Sequence, residues 1–327
     1  MIDRRTLCIT AGAVLTCGTT TRAAMTLHPS FKTGLGPFGA KSAAALSFRV
    51  DAQDKDLNVR VTYPDAPGPH PVIVFSHGAL SSKDLYNRVA DHWASHGYAT
   101  ILPTHLDSES LGYSFKNPLP RDKVFFGRIG DMAFILDNLE AIAARAGIAG
   151  KLDAQRIAAA GHSFGGWMAL IMAGLPVKMP DGSSKSFRDK RVKAMMAYNG
   201  IGPMDQIDND RWGDVKIPVL AASGTNDPGA TGDGMLRPWR WRMGAYDLAG
   251  SKEKYAVSIT MGDHYYGGLI CREGAGGQPD AEGLSFVNGA SSAFLDAYLK
   301  ADNDAKKFLR TVDLRPLTND RAFLERS

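Results

Sequence analysis

The sequence predicts an α/β fold with a mostly parallel central sheet of about eight strands and helices on both faces. Runs that are apolar throughout, such as Val72–Phe75 and Ala99–Leu102, are typical of strands buried on both faces of a sheet. After the first of these runs, strand patterns alternate with helical patterns, as in parallel sheets covered by helices. The 327 residues contain no internal repeat and no convincing linker, so we expect a single domain over residues 44–327.

Residues 1–24 have the pattern of an export signal peptide. The pair Arg4-Arg5 precedes an apolar stretch over residues 7–17, and small residues end the segment, where we expect cleavage. The paired arginines favour the twin-arginine type, so we expect an exported protein, periplasmic or secreted. The apolar stretch is shorter than the roughly 20 residues of a membrane span, so no stable membrane insertion is expected after signal removal.

Charge and cysteine content argue against nucleic-acid binding and against an intramolecular disulfide. Removal of the signal takes away three arginines and one aspartate, which lowers the formal net charge from +4 to +2. That charge does not indicate a nucleic-acid-binding surface. Cys8 and Cys17 lie in the signal, so only Cys271 remains and no intramolecular disulfide can form. A lipoprotein anchor on Cys17 stays open as the less favoured alternative, because Thr16 before it fits poorly.

The remaining elements follow from periodicity. Residues 25–43 are rich in Gly and Pro and predict an extended N-terminal arm, and the alternating segments Leu46–Val50 and Leu57–Tyr63 predict an antiparallel edge hairpin. Further strands are predicted at Ile157–Ala160, Val192–Tyr198, Ile217–Ser223 and Tyr255–Met261. Helices are predicted at Ser82–His96, Lys123–Ala146, Trp167–Ala173, from Pro238 onward, and last at Ala281–Ala301.

The sequence Gly161-His-Ser-Phe-Gly165 joins an apolar strand to an apolar helix and predicts a sharp turn with Ser163 at its tip. Such a turn requires small residues two positions either side of the serine, and Gly161 and Gly165 supply them. The turn exposes the hydroxyl, strains the Ser163 backbone and directs the first N–H groups of the helix towards an adjacent oxyanion. Ser163 is therefore the candidate nucleophile for acyl transfer.

A nucleophilic serine needs a base and a group that orients the base, and in parallel sheets both lie on loops after strand ends. Asp227 follows the strand that ends at Ser223 and is the candidate acid, with Asp233 on the same loop as the fallback. His264 follows the strand that ends at Met261 and is the candidate base. Each residue alone is unremarkable, but together they complete a Ser…Asp…His order.

The loop after Val72–Phe75 predicts the oxyanion hole. Gly78 allows the backbone to approach closely, so we expect the amides of Ala79 and Phe164 to bind the oxyanion. His77 in the same loop is interpreted as a structural histidine that orders the loop.

Leu80, Tyr265 and Tyr266 are the candidate substrate-pocket residues, although packing of the two tyrosines within their loop stays open. The other histidines show no metal spacing, and the proposed chemistry needs neither a metal nor an organic cofactor.

These motifs resemble the α/β-hydrolase superfamily over roughly residues 45 to 300. Gly161-His-Ser-Phe-Gly-Gly166 and Ser76-His-Gly78 are similar to the dienelactone-hydrolase-like branch that contains platelet-activating-factor acetylhydrolases, chlorophyllases and bacterial polyester hydrolases. The resemblance implies Ser163 as nucleophile and Ala79 and Phe164 as donors.

The sequence departs from members of this branch in two places, one of which is Ser163, where true dienelactone hydrolases use cysteine. The plasma acetylhydrolases place their acid after the strand that follows the elbow helix, where this chain has Ala197-Tyr-Asn-Gly200 and no carboxylate. The acid is therefore expected at Asp227. Arg128 and Asp131 resemble an Arg…Asp pair common in the branch, and we interpret that pair as structural.

The resulting hypothesis is an exported serine hydrolase that cleaves small-molecule or polymeric carboxylic esters through a Ser163–His264–Asp227 acyl-enzyme mechanism. Two alternatives stay open at this point. One is an amidase or peptidase with the same triad, and the other is a non-catalytic binding member of the fold. Residue pattern alone assigns neither the acyl length, nor the alcohol, nor the oligomeric state.

Overall fold

A computed structural model of the chain describes residues 28–231 and 235–327. The predicted signal peptide over residues 1–24 and the fallback acid Asp233 lie outside the described residues. Among the helices of the described part, none is long and apolar enough to cross a membrane.

The strands of the described residues form one large sheet and two small ribbons. They are β1 (Ala40–Val50), β2 (Lys55–Pro64), β3 (His70–Ser76), β4 (Ala99–Thr104), β5 (Leu152–His162), β6 (Val177–Lys178), β7 (Ser184–Lys185), β8 (Val192–Tyr198), β9 (Val219–Gly224), β10 (Gly229–Ala230), β11 (Leu236–Arg237), β12 (Lys254–Ile259) and β13 (Ala322–Arg326). The helices are α1 (Asn87–Ser95), α2 (Arg121–Asp137), α3 (Leu139–Arg145), α4 (Phe164–Ala173), α5 (Gly244–Leu248), α6 (Ala281–Leu299), α7 (Asn303–Thr311) and α8 (Leu314–Leu317).

The large sheet confirms the predicted mostly parallel α/β architecture. In the described part of the chain, nine strands follow the order β1-β2-β4-β3-β5-β8-β9-β12-β13. The six strands from β4 to β12 run parallel to one another, whereas β1, β2 and β13 pair antiparallel at the two edges. The carboxyl ends of the six parallel strands therefore lie at one edge of the sheet, where their loops can meet.

The core lies on both faces of this sheet, because strand residues alternate between the faces. Along β3, Val72 and Val74 pack towards α2, α3 and α4, while Ile73 and Phe75 pack towards α1, α6 and α7. All four side chains are buried, which explains why the strand reads as a continuous apolar run.

Two predicted helices differ from the structure for local reasons. The helix predicted from Lys123 is broken at Asn138, whose side-chain amide donates to the Phe134 carbonyl at 2.8 Å and separates α2 from α3. The helix predicted from Ser82 begins only at Asn87. The amides of Lys83 and Asp84 bond to side-chain hydroxyls in the turn before it, which replaces helical hydrogen bonds.

The first and last elements of the chain differ from the predicted ones. The first strand begins at Ala40, within the segment expected to be an extended arm. The helix α6 is not the last element, since α7, α8 and the edge strand β13 follow it. Strand β13 pairs with β12 and covers an edge that would otherwise stay open.

Candidate active site

The turn from β5 into α4 carries Ser163 in a strained conformation. Its φ of 53° and ψ of −118° lie in a region that side-chain-bearing residues rarely occupy. A Cβ atom on Gly161 would lie 2.2 Å from the Gly165 backbone, and one on Gly165 would lie 1.8 Å from the Ser76 carbonyl oxygen. The two glycines are thus required because three backbone segments meet at this turn.

Ser163 faces a cleft of about 810 Å³ at the carboxyl edge of the sheet. Its amide donates to the Tyr198 carbonyl at 2.9 Å, which anchors the turn to β8. Its side chain is only half-buried, as expected for a group that must meet a ligand.

Asp227 and His264 lie in direct contact on two neighbouring loops. The His264 Nδ1 atom is 3.0 Å from each Asp227 carboxylate oxygen. Asp227 is 1% exposed, and the loops are joined where the Asn226 amide donates to the Gly262 carbonyl. The imidazole therefore donates its Nδ1 proton to the carboxylate and keeps Nε2 available for another group.

Three further side chains donate to the Asp227 carboxylate. Asn199 Nδ2 lies 2.7 Å and Ser223 Oγ 3.2 Å from Oδ2, and Arg242 Nε lies 3.1 Å from Oδ1. Asn199 is the residue at the position that lacks a carboxylate after β8. The side chains at the two possible acid positions therefore lie in contact. In this chain the Asn199 amide at the first position donates a hydrogen bond to the Asp227 carboxylate at the second.

The contribution of Arg242 was not predicted from the sequence, because the segment from Pro238 onward was expected to form a helix. Residues Trp239–Met243 instead form a 3-10 turn that directs Arg242 inward, where it is 8% exposed. Its neighbour Arg240 remains on the surface and pairs with Asp247. Arg240 and Arg242 thus lie in different environments, one at the surface and one buried, and amino-acid composition does not distinguish them.

The environment sets the protonation states of the acid and the base. Burial alone would raise the pKa of Asp227, but the hydrogen bond from His264 and the charge of Arg242 outweigh it and hold the pKa below the ordinary value. Burial lowers the pKa of His264, and the contact with Asp227 offsets only part of that effect. At neutral pH the pair is therefore a carboxylate and a neutral imidazole, which can act as a base.

The nucleophile turn and the base loop are connected through His162. Its Nε2 atom donates to the His264 carbonyl at 2.9 Å, and its Nδ1 atom accepts from the Tyr86 hydroxyl at 3.1 Å. That hydroxyl in turn accepts from the Gly78 amide at 2.9 Å. In the described residues the His264 ring is hydrogen-bonded to Asp227, and no hydrogen bond joins it to Ser163 Oγ. Catalytic contacts of this kind often tighten only when substrate is bound.

Ala79 and Phe164, the predicted oxyanion donors, both line the cleft with Ser163. Among residues 28–231 and 235–327, neither amide donates to another protein group. Two N–H groups at the start of α4 and on the loop after β3 are therefore open to a ligand oxygen.

His77, predicted to order this loop, is buried and packs against His105, with ring centroids 4.7 Å apart. Its Nε2 atom accepts from the His105 amide at 2.9 Å, and its Nδ1 atom lies 2.6 Å from the Gly78 carbonyl. Burial holds the pKa of His77 well below its ordinary value, so the ring stays neutral.

The expected pair of Arg128 and Asp131 does not form. Arg128 instead binds Asp107, while Asp131 binds His105 and Lys55. Asp107 and Asp131 are both buried, and the sequence pattern did not show which of the two carboxylates Arg128 would bind.

The three pocket candidates have different surroundings. Leu80 lines the cleft, together with apolar side chains that include Phe125, Trp167 and Met204. Tyr265 is half-buried and packs edge-on against His264, with ring centroids 4.9 Å apart, but it is not among the residues that line the cleft. Tyr266 is fully buried in the core, because the chain turns at this residue through a φ of 50°. No group of His, Cys, Asp and Glu in the described residues has the arrangement of a metal site.

Comparison with known proteins gives a partial match. Residues 38–181 match the sequence profile of the chlorophyllase family. Chlorophyllase-1 of Arabidopsis thaliana is 33% identical over 88 residues, which cover 25% of this chain and 27% of that protein. This chain therefore matches about a quarter of the length of the curated relative. The family match includes Ala79 and Ser163, whereas Asp227 and His264 lie beyond its end.

The candidate site residues are thus positioned by the order of the strands in the sheet as well as by the sequence motifs. The serine turn follows the central strand β5, and the aspartate and histidine loops follow β9 and β12 on one side of it. Together with the family match over residues 38–181, this strand order and loop placement show the α/β-hydrolase fold.

Proposed function

We propose that the protein is a serine hydrolase that cleaves carboxylic esters through an acyl-enzyme. The observation that carries the proposal is the contact of 3.0 Å between His264 Nδ1 and the buried Asp227 carboxylate, beside the strained Ser163 turn. The match to the chlorophyllase family supports an ester as the substrate.

The first half-reaction forms a bond between Ser163 Oγ and the ester carbonyl carbon. His264 Nε2 accepts the hydroxyl proton while Asp227 holds the opposite ring nitrogen and stabilises the imidazolium. The carbonyl oxygen becomes an oxyanion that accepts from the amides of Ala79 and Phe164. His264 then protonates the leaving alcohol, and the acyl group stays on Ser163.

The second half-reaction repeats these steps with water. His264 removes a proton from water, which attacks the acyl carbon, and the same two amides bind the second oxyanion. Breakdown of this intermediate releases the carboxylic acid and returns the proton to Ser163 Oγ. Each amide donor of this kind typically contributes about 3 kcal/mol of transition-state stabilisation.

The cleft favours an ester with a bulky apolar part. Phe125, Phe164 and Trp167 form an aromatic wall, with ring centroids of Phe125 and Trp167 4.7 Å apart. The volume of about 810 Å³ lies in the range of pockets that enclose whole ligands. Small-molecule esters and the ends of polymeric esters both satisfy this description.

Replacement of the nucleophile tests the proposal. We expect Ser163→Ala to lower the rate of hydrolysis of a short p-nitrophenyl ester by at least about 10³-fold, because no acyl-enzyme can form. The measurement is the release of p-nitrophenol by the folded wild type and variant at equal concentration. Equal rates for the two proteins would contradict the proposal.

The charge of Arg242 predicts a shift in pH dependence. His264 must be neutral to act, so kcat/KM falls as pH drops through the pKa of His264. Burial lowers that pKa, Asp227 raises it, Arg242 lowers it and Asp263 raises it; His162 and Tyr265 also pack against the ring. Arg242→Gln removes a nearby positive charge that lowers the pKa of His264, so the acid limb should move to higher pH.

Arg240→Gln is the matched control for this shift. Arg240 lies two residues away but pairs with Asp247 and Glu325 at the surface, so its loss should leave the acid limb in place. An unchanged acid limb in the Arg242→Gln variant, or the same shift in both variants, would contradict the role of Arg242.

We further propose that the protein is exported, on the basis of the Arg4-Arg5 pair and the apolar stretch that follows. The mature protein recovered from outside the cytoplasm should begin near residue 25. Recovery of an active protein that retains Met1 would contradict export by signal cleavage.

A further inference from the structure

A buried ion pair lies behind the loop that carries Ala79. Arg128 Nε and Nη2 each lie 2.8 Å from a different carboxylate oxygen of Asp107, and Arg128 is 1% exposed. Two parallel hydrogen bonds between a guanidinium and a carboxylate fix the relative orientation of the two groups. The pair is therefore a rigid unit next to the cleft.

The same two side chains hold both peptide groups that flank Ala79. Arg128 Nη2 donates to the Gly78 carbonyl at 3.1 Å, and the Leu80 amide donates to Asp107 Oδ2 at 3.1 Å. The Gly78 carbonyl and the Ala79 N–H belong to one planar peptide group and point in opposite directions. The Arg128 guanidinium, together with His77 Nδ1 and the Ser81 amide on the same carbonyl oxygen, therefore fixes where the Ala79 N–H points.

The backbone beside Ala79 needs such support. Leu80 has a φ of 62°, in the left-handed region that is unfavourable for a leucine, and its amide is the group held by Asp107. Without this hydrogen bond, the loop could relax and rotate the preceding peptide away from Ser163.

Arg128 also reaches the rest of the oxyanion site. Its Nη1 atom donates to the His77 carbonyl at 2.6 Å, and its guanidinium carbon lies 4.4 Å from the centroid of the Phe164 ring. Phe164 supplies the second amide donor. A cation bound to a peptide oxygen also polarises that peptide, which strengthens its N–H as a donor.

We propose that Arg128 is a positioning residue that aligns and polarises the Ala79 amide for the oxyanion, with Asp107 as its anchor. The inference rests on the proposed ester hydrolysis and adds to it a residue that supports the transition state without touching the substrate. Arg128 lies behind the cleft wall, whereas Asp107 forms part of that wall.

Two substitutions at Arg128 test this role. Arg128→Gln removes the positive charge and the paired hydrogen bonds to Asp107. Arg128→Lys keeps the charge but has fewer hydrogen-bond donors. We expect Arg128→Gln to lower kcat for a p-nitrophenyl ester about 100-fold and Arg128→Lys about 10-fold, with KM changed less than about threefold. Affinity for a trifluoromethyl ketone, whose Ser163 adduct carries an oxyanion, should fall by the same factors.

Asp296→Asn is the control for loss of a buried charge. Asp296 is 2% exposed and pairs with Lys32 and Lys300 near Tyr98, which precedes β4 and lies at the opposite end of the sheet. This variant should lose thermal stability but keep the wild-type kcat and ketone affinity. A purely structural Arg128 would give the same result.

The outcomes separate this inference from the proposed function. A folded wild type without ester hydrolysis would contradict the proposed function. An active wild type with Arg128→Gln within about threefold of its kcat and ketone affinity would contradict only the positioning role. If Arg128→Gln does not fold, Arg128→Lys decides, and a kcat within twofold of wild type would overturn the inference.

Discussion

A chain of hydrogen bonds through Tyr86 and His162 connects the three loops of the site and defines their spacing. It runs from the Gly78 amide to the Tyr86 hydroxyl, then through the His162 ring to the His264 carbonyl. The chain requires a neutral His162 that accepts at Nδ1 and donates at Nε2, and burial, which holds the pKa of His162 well below its usual value, supplies that state. The loops that carry Ala79, Ser163 and His264 are therefore linked by hydrogen bonds.

Two buried arginines act on opposite sides of these linked loops. Arg242 binds the Asp227 carboxylate and biases the charge of the acid and base, whereas Arg128 binds Asp107 and the peptide that presents Ala79. In both cases the cation pairs with a buried aspartate, so its desolvation is compensated. The electrostatics of the cleft thus come from residues that surround the reacting groups.

The sequence was a good guide to the sheet and a weaker guide to what lies around the site. Apolar runs such as Val192–Tyr198 predicted a buried strand at the observed bounds, since burial on both faces leaves no other pattern. The candidates Ser163, Asp227 and His264 follow strand ends, and strand order explains their proximity. The inward direction of Arg242 could not be predicted, because the side-chain directions in a 3-10 turn leave no periodic signal in the sequence. The pairing of Arg128 with Asp107 could not be predicted either, because it joins two segments that are distant in the sequence. Tyr266 illustrates the same limit, since one residue with a positive φ turns it into the core.

The central claim is that Ser163 carries the acyl group during turnover. The most direct measurement is intact-protein and peptide mass spectrometry after rapid acid quench of the wild type with a slowly deacylating p-nitrophenyl ester. The account predicts a single acyl adduct on the peptide that contains Ser163, formed with a burst of one equivalent of p-nitrophenol. Turnover without an adduct, or an adduct on a different residue, would contradict it.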